Sequence, residues 1–391
     1  MILAQRVAGP CLALAPCMTL RMSRARRIDI GKRAAVTSGL LGTLCVLAEL
    51  CFLLPDALVT RDALPFYQAH IDLFRGILQV TILATFACGA LGLWLLRSKG
   101  HALLGIGLGV VALMMGGANV QAIDLGRGAF SVGLDYFVLE LLVLGLLFVP
   151  LERFFKLRRQ KIFRRGWQTD LKHFFVSHAG VQLLSFASMV PAQALFAWAL
   201  KFDFQQLVAA QPIWLQFVEI LLTVDFVTYW VHRGFHRIPW LWNFHAIHHS
   251  SEHMDWLAGS RMHIVDVLVT RAAGFLPIFV MGFAPAALYV YLVFVSFHAV
   301  YIHANIRWRW PGIRWIITTP EFHHWHHTSD EEGLDRNFAG FLPMWDLVFG
   351  TAHQPGHWPQ KYGTVKFQPP ETYLGQLLYP FKRHGSRTPY G

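Results

Sequence analysis

Charged residues are scarce in this sequence. They make up 15% of its 391 residues, whereas hydrophobic residues make up 54% and aromatic residues 14%. Soluble domains carry roughly 25% charged residues, and the mean hydropathy here is +0.41. The composition excludes an ordinary soluble domain and indicates a membrane protein.

Cysteine is also scarce, and it is confined to the first quarter of the chain. The five cysteines form no CxxC pair. A disulfide framework, a zinc ribbon and an iron–sulfur site each need cysteines in paired or clustered spacing. We therefore expect any metal chemistry to rest on nitrogen and oxygen ligands. The cysteines are Cys11, Cys17, Cys45, Cys51 and Cys88.

The sequence is rich in long apolar runs. A helix needs about 20 apolar residues to cross the hydrocarbon of a membrane, and eight runs approach this length, the last three less cleanly. We predict an all-α fold, a multi-pass transmembrane helical bundle of about eight spans with a histidine-rich helical cap in the cytoplasm. The runs are 35–54, 73–96, 102–121, 133–150, 176–200, 214–231, 264–283 and 286–302.

The net charge of +11 is concentrated in a few loops. Basic residues cluster before the first run, between the second and third, and after the fourth, so the positive-inside rule places these segments in the cytoplasm. No nucleic-acid reading motif accompanies the charge, and we expect no nucleic-acid partner. We expect an integral membrane protein with a cytoplasmic N-terminus, in the inner membrane if the source is bacterial.

Histidine divides the chain into two parts. The first four apolar runs contain none, apart from His70 and His101 at their ends, and we interpret these runs as a packing module. Nearly every histidine lies in the second part. We predict a mostly disordered basic tail, a four-span module, a basic cytoplasmic loop, a histidine-rich domain and a C-terminal tail, over residues 1–34, 35–150, 151–165, 166–363 and 364–391.

The histidine-rich segments are predicted to share one membrane face. If the fifth run leaves the cytoplasm and the sixth returns, His232 emerges on the cytoplasmic side. The seventh and eighth runs form a hairpin that delivers His303 to that side, and no run follows Asn305. We therefore expect a single cytoplasmic site.

The first histidine motif is HRGFH, which contains His232 and His236. At i and i+4 on a helix they share a face, with Cβ atoms about 5–6 Å apart, so both can reach one metal ion. Asp225 and Tyr229 extend this face into the preceding span. Because a carboxylate inside a span is costly and usually functional, we predict that Asp225 orients a ligand histidine.

Two further motifs, HAIHH and HHWHH, repeat a three-histidine spacing of i, i+3 and i+4. Together with HRGFH they supply eight histidines, which exceed the four ligands of a tetrahedral zinc ion, so two metal ions are the natural number. Iron, zinc and copper all suit imidazole ligands. The six residues are His245, His248, His249, His323, His326 and His327.

Other residues near the motifs fit less clearly. His263 and His303 are candidates to complete the coordination shells, although each is equally compatible with a structural role. His298 lies about 140° from His303 on a helix, and we expect it to be packed or hydrogen bonded. Plausible carboxylate partners of the ligands are Asp225, Glu252, Glu321, Asp330 and Asp335; expected surface histidines are His253, His353, His357 and His384.

The HHWHH motif has four histidines for three ligand positions. With His323 at 0° on a helical wheel, His326 falls at roughly −60°, His327 at roughly +40° and His324 at roughly +100°. The i, i+3, i+4 spacing of HAIHH supports His323 as the first member. We therefore predict that His324 faces a neighbouring residue or the membrane surface.

These motifs resemble the fatty acid hydroxylase / sterol desaturase superfamily of integral membrane oxygenases. The resemblance runs from about residue 166 to 363 and rests on DFVTYWVHRGFH, LWNFHAIHHSSEHMDW, SRMH, HANI, TPEFHHWHH and NFAGFLPMWDLVFGT. Asp255 departs from the asparagine often found at its position in such proteins. The first four spans lie outside the resemblance.

The resemblance implies a non-haem di-iron centre that activates O₂ to attack an unactivated C–H bond of a lipid, although zinc can occupy such a site after purification. It implies that the eight motif histidines are ligands, with His263 and His303 added less securely, and that Asn337 is a polar residue near the site. O₂ reduction also needs two electrons from outside. Since the sequence has no cysteine-ligated cluster, haem pair or GxGxxG fingerprint, we expect a separate reductase, ferredoxin or cytochrome.

Two other interpretations remain open at this point. A metal transporter would use the histidines as a loading site, although Asp225 is nearly the only ionisable residue within these spans. A catalytically inactive, zinc-filled lipid-binding protein fits the same motifs. The sequence leaves open the lipid and the choice between hydroxylation, desaturation and ether cleavage.

Overall fold

The structure is a computed structural model, and it describes residues 23–60, 63–121, 133–179 and 181–382. Its regular elements are helices, and no strand occurs in these four ranges apart from two isolated bridges. The predicted all-α class is confirmed. Cys11, Cys17, His384 and residues 1–22 of the predicted tail lie outside the described residues.

Sixteen α-helices occur in the described residues. They are α1 Arg24–Leu53, α2 Pro55–Leu58, α3 Leu64–Ala69, α4 Ile71–Leu95, α5 Gly100–Met115, α6 Leu134–Phe154, α7 Trp167–Ala179, α8 Val181–Phe196, α9 Phe202–Ala209, α10 Ile213–Arg237, α11 Pro239–His249, α12 Ile264–Met281, α13 Pro285–His303, α14 Pro320–His326, α15 Met344–Val348 and α16 Tyr373–Leu378. Helix α1 begins before the predicted first span, so residues 24–34 are helical and not disordered.

Seven helices in the described residues are long and apolar enough to cross a membrane: α1, α4, α5 with the short turn after it, α6, α10, α12 and α13. The chain is therefore an integral membrane protein. The fifth predicted run, 176–200, is not among these seven helices of the described residues. Its described residues belong mainly to α7 and α8, which lie on either side of position 180.

Two compact units divide the chain. One consists of residues 1–49 and 70–121, and the other of 50–69 and 122–391, as far as these are described. This division differs from the predicted four-span module, since α6 belongs to the second unit with the histidine-rich helices.

The first unit packs α1, α4 and α5 closely. A Cβ added to Gly105 would meet the Ser38 side chain at 2.2 Å, and one added to Gly89 would meet Ile106 at 2.5 Å. Small residues of this kind let membrane helices approach at backbone distance. The Ser38 hydroxyl also donates to the Thr85 carbonyl at 2.8 Å. These contacts fit the packing role expected for this part.

Hydrogen bonds between helix ends identify two opposite ends of the second unit. At the histidine end, where α10 and α13 finish, the amide of Arg158 after α6 donates to Asn305 Oδ1 at 2.8 Å. At the far end, Gln216 near the start of α10 accepts from the Ala284 amide at 2.8 Å, and Gln205 donates to the Phe279 carbonyl at 3.0 Å. The segment between α6 and α9 therefore carries the chain from the histidine end to the far end.

Two short helices bring the three-histidine motifs to the histidine end. Pro239 is the first residue of α11 and Pro320 the first of α14, a position where proline needs no amide hydrogen bond. Thr319 caps α14 by accepting from the Phe322 amide at 3.4 Å. The apolar core of α10 and α13, which includes Ile220 and Ala287, supports this end from the membrane side.

Candidate metal centre

Nine buried or half-buried histidines close into two groups at the histidine end. Within each group, one ring nitrogen from every histidine lies within 4.8 Å of all the others. The five-histidine group consists of His232, His236, His245, His249 and His326, and the four-histidine group consists of His248, His303, His323 and His327. Nine of the ten histidines proposed from the sequence therefore come together.

The distances between facing nitrogens suit a shared metal ion. The Nε2 atoms of His249 and His326 are 3.0 Å apart, and those of His303 and His323 are 2.9 Å apart. Two nitrogens bound to one ion at about 2.1 Å would be separated by about 3.0 Å at a right angle and about 3.4 Å at a tetrahedral angle. The donor set therefore fits a metal ion in both groups.

Carbonyl groups orient two ligands of the five-histidine group. His232 Nδ1 donates to the Phe338 carbonyl at 2.7 Å, and His326 Nδ1 donates to the Arg336 carbonyl at 2.9 Å. A proton held at Nδ1 leaves the lone pair of Nε2 free to bind a metal. Both imidazoles are thus fixed in the ligand tautomer.

Carboxylates orient two more ligands of this group. His245 Nδ1 donates to Asp266 at 2.7 Å, and His236 Nδ1 donates to Asp335 at 3.0 Å. The Nε2 atom of His236 is buried and has no hydrogen-bond partner among the described residues. An unsatisfied buried nitrogen is costly, and a metal ion at the centre of the group would satisfy it.

The four-histidine group is oriented by backbone carbonyls. His248 Nδ1 donates to the Arg261 carbonyl at 3.1 Å, and His303 Nδ1 donates to the Ala299 carbonyl at 2.6 Å. His323 Nδ1 is buried and has no hydrogen-bond partner in the described part of the chain.

Burial keeps His249 and His327 neutral. Burial, and next the imidazole of His326, lower the pKa of His249 well below its ordinary value. Burial, and next the imidazole of His248, do the same to the pKa of His327. Neutral imidazoles are the metal-binding form, so no proton has to leave before an ion binds at neutral pH.

A short segment after α14 supplies three of the acceptors. Asp335, Arg336 and Phe338 contact the second nitrogens of three different ligands, and we call residues 335–342 the acceptor strap. Asp335 and Asn337 have positive φ angles of 55° and 60°, which non-glycine residues rarely adopt. This backbone path aims one side chain and two carbonyls at the same group.

Asn337 lies within the strap and does not face the metal groups. Its amide nitrogen donates to the carbonyls of Phe322 and His353, both at 2.8 Å, and its oxygen accepts from the His353 amide at 2.7 Å. The residue therefore ties the strap to α14 and to the loop after α15, which is a positioning role.

Asp225 holds the other end of the strap. Its carboxylate accepts from the amides of Gly340, Phe341 and Leu342 at 2.9, 3.0 and 2.7 Å. The prediction that Asp225 orients a ligand histidine directly is wrong in its geometry, because both carboxylate oxygens are used by backbone amides. The residue acts on the site through the strap.

Asp346 in α15 secures the middle of the strap. Its two oxygens accept from the amides of Phe338 and Ala339, each at 2.8 Å. Burial raises the pKa of the Asp346 carboxyl, against the lowering effect of its bond to Thr351. Two buried aspartates, from α10 and α15, therefore fix the segment that carries the acceptors.

The structure does not bring His263 to either group. It caps α12, where its Nδ1 accepts from the Val265 amide at 3.1 Å, and its Nε2 contacts the Leu377 carbonyl at 3.1 Å. Both nitrogens are thus used by the backbone.

His324 also lies outside the groups, in agreement with the helical-wheel argument. Its Nδ1 is 2.8 Å from the Tyr362 hydroxyl and its Nε2 is 3.2 Å from the Ala304 carbonyl. His298 is buried and contacts the Thr318 carbonyl at 3.0 Å, as expected for a packed residue.

Of the carboxylates proposed as partners, Asp335 contacts a ligand. Glu321 pairs with Arg309 at 3.4 Å, Asp330 accepts backbone amides, and Glu252 is exposed. Asp266 was missed, because an acidic residue in the first turn of an apolar helix is ordinarily explained by the helix dipole.

A buried ion-pair network braces the four-histidine group. Arg164 donates to both oxygens of Asp255 at 2.7 and 2.8 Å and pairs with Asp170 at 2.6 Å. Arg261, whose carbonyl holds His248, also pairs with Asp170 at 2.5 Å. The charges of the two arginines and the two aspartates balance. Asp255 therefore has a structural role, since it pairs with Arg164.

An all-α membrane bundle with two groups of buried histidines defines a class of membrane proteins with a metal-binding histidine centre. Residues 217–351 match the family model for fatty acid hydroxylase. The chain carries a fatty acid hydroxylase domain, and the resemblance recognised from the motifs is confirmed.

Several curated proteins are similar to this chain. An ornithine lipid hydroxylase of Rhizobium tropici is 29% identical over 58% of this chain and 71% of its own length. Human alkylglycerol monooxygenase is 33% identical over 33% of this chain and 29% of its own length. A very-long-chain aldehyde decarbonylase of Arabidopsis thaliana is 24% identical over 33% of this chain and 22% of its own length. No solved structure matches the chain.

Proposed function

We propose that this protein is a membrane-bound, non-haem di-iron oxidoreductase that uses O₂ and external electrons to hydroxylate or desaturate a lipid. The observation that carries the proposal is the closure of nine histidines into two groups of metal-ligand geometry. The fatty acid hydroxylase domain supports the reaction class. Hydroxylation is favoured, because the two relatives described above with the higher identities are named a hydroxylase and a monooxygenase.

Iron bound in the two groups would supply the O₂ activation that attack on an unactivated C–H bond requires. The residues of this chain hold that chemistry in place. Neutral imidazoles offer Nε2, and Asp266, Asp335 and backbone carbonyls hold the proton at Nδ1. Burial excludes bulk water from the reacting region.

The reaction balances as R–H + O₂ + 2 e⁻ + 2 H⁺ → R–OH + H₂O. The described cysteines, Cys45, Cys51 and Cys88, lie within α1 and α4 and offer no cluster site. We therefore propose a separate electron donor, a reductase with a ferredoxin or a cytochrome. The substrate is a lipid, since the domain lies in a membrane bundle and the relatives' names refer to lipids.

We propose that the histidine end and the N-terminus face the cytoplasm, and that residues 166–363 form the catalytic domain, with α6 packed into the same unit. The basic loop 151–165 adjoins the histidine end through Arg158, which supports this orientation by the positive-inside rule. In a bacterium this places the protein in the inner membrane.

The function is tested on full-length protein purified in detergent from iron-supplemented cells. We expect two iron ions per chain and O₂ uptake that depends on lipid and reductant. Lipid profiles of cells with and without the gene should differ by a product about 16 mass units above its precursor for hydroxylation, or about 2 units below it for desaturation. Ion transport by vesicles containing the protein, without O₂ uptake, would favour the transporter and refute the proposal.

A further inference from the structure

The two histidine groups differ in the charge of the residues that orient them. In the five-histidine group, the side chains of Asp266 and Asp335 are only 2% and 9% exposed and accept from two ligands. A carboxylate bonded to Nδ1 makes the imidazole more basic and strengthens its bond to a metal. This group therefore offers its ion two nearby carboxylates, of which Asp335 also faces the exposed guanidinium of Arg237 at 3.9 Å.

The four-histidine group lacks such charges. No carboxylate hydrogen bonds to His248, His303, His323 or His327 within the described part of the chain, and the second nitrogen of His323 is buried without a partner. The neighbouring ion-pair network contributes no net charge, because Arg164 and Arg261 are matched by two aspartates. An ion here would keep most of its positive charge uncompensated.

The groups also differ in the number of nitrogens they supply. A six-coordinate ion bound by five histidines has one position open, whereas one bound by four histidines has two. The four-histidine group thus has fewer ligands, and the groups that accept hydrogen bonds from its histidines are uncharged. Both differences should make the metal affinity of the five-histidine group higher than that of the four-histidine group.

We infer that the two metal positions are inequivalent. The five-histidine position binds its ion first and more tightly through Asp266 and Asp335, and the four-histidine position is the labile one and the more open to an added ligand. The inference deepens the proposed function and rests on its two-metal centre.

The experiment is a titration of metal-free, full-length protein in detergent with Co²⁺ against a competing chelator. We expect two binding steps separated by tenfold or more in affinity, with azide changing the Co²⁺ absorption mainly after the second equivalent. Asp266→Asn keeps an acceptor for His245 but removes the charge, and it should weaken the first step by about 10–100-fold. His303→Ala should remove only the second step.

Asp330→Asn is the matched control, because Asp330 accepts backbone amides outside both groups. It should leave both steps unchanged. Asp335→Asn serves as a second variant if Asp266→Asn does not fold, as judged by size-exclusion chromatography.

Two equal steps, or a loss confined to the second step in Asp266→Asn, would overturn the inference and leave the two-metal centre intact. Binding of fewer than two ions by well-folded wild-type protein would overturn the proposed function itself.

Discussion

Replacement of Asp225 tests how the acceptor strap controls the metal centre. Asp225 is fully buried, and its carboxylate accepts from three backbone amides of the strap. In Asp225→Asn, one oxygen remains for Gly340 and Phe341, but an amide nitrogen faces the Leu342 amide. One unsatisfied buried amide costs about 1–3 kcal/mol, so we expect the melting temperature to fall by about 2–10 °C.

The effect on metal binding should be indirect and smaller than that of removing a ligand. The strap carries the Phe338 carbonyl that holds His232, so a looser strap weakens one ligand of the five-histidine group. We expect Asp225→Asn to lower the affinity of that group by less than tenfold, whereas His232→Ala removes a ligand outright. Glu219→Gln on the same helix is the control, since Glu219 bonds to Gln211 and not to the strap.

Thermal unfolding in detergent, with and without metal, and chelator competition measure the two effects. If Asp225→Asn kept the wild-type melting temperature but lost metal as completely as His232→Ala, the reasoning would be refuted. Asp225 would then act on the metal itself, and the contacts with the strap would not explain its role.

Three further outcomes follow from the site. His326→Ala should abolish activity and release metal, whereas His324→Ala should keep metal and much of the activity, as metal analysis and product assays will show. Burial lowers the pKa of His324 to about 3, so the imidazole stays neutral in the folded state. In the unfolded state the same imidazole takes up a proton below about pH 6.5. The metal-free protein should therefore melt at a lower temperature at pH 5 than at pH 7. Single cysteines at the exposed positions Glu252 and Lys361, in a cysteine-free background, should be labelled only from the cytoplasmic side.

The convergence of the motif histidines was predictable because helical spacing alone sets which of them share a face. Residues at i, i+3 and i+4 share a helix face wherever the helix packs, and His324 falls outside that face for the same local reason. The prediction for His303 was weaker from the sequence, since only the approach of α13 to α14 brings its Nε2 within 2.9 Å of His323 Nε2. His263 does not join either group, because its side chain caps the N-terminus of α12.

The supporting residues were not predictable, because they lie far away in sequence. Asp335 meets His236 across 99 positions and Asp225 meets Leu342 across 117. A motif search gives no signal for backbone carbonyls such as that of Phe338, since any residue supplies one.

The three-histidine motifs do not each correspond to one metal ion. In α11, His245 and His249 join the five-histidine group, whereas His248 joins the other group. The members of the HHWHH motif divide in the opposite way: the i and i+4 residues join the four-histidine group and the i+3 residue joins the five-histidine group. The i+3 and i+4 positions differ by about 100° on a helical wheel, so one short helix can face two ions.

Because each motif is divided between the two groups, we predict an unusual pattern of metal loss in double variants. His248 and His323 come from different motifs but the same group, so His248→Ala and His323→Ala together should release no more metal than either alone, about one ion per chain. His248→Ala and His249→Ala are adjacent on α11 but act on different groups, so together they should release both ions. Metal content after chelator washing, at a concentration that leaves wild-type protein fully loaded, distinguishes the patterns. Release of both ions by the first pair and of one ion by the second would show that each motif serves a single ion.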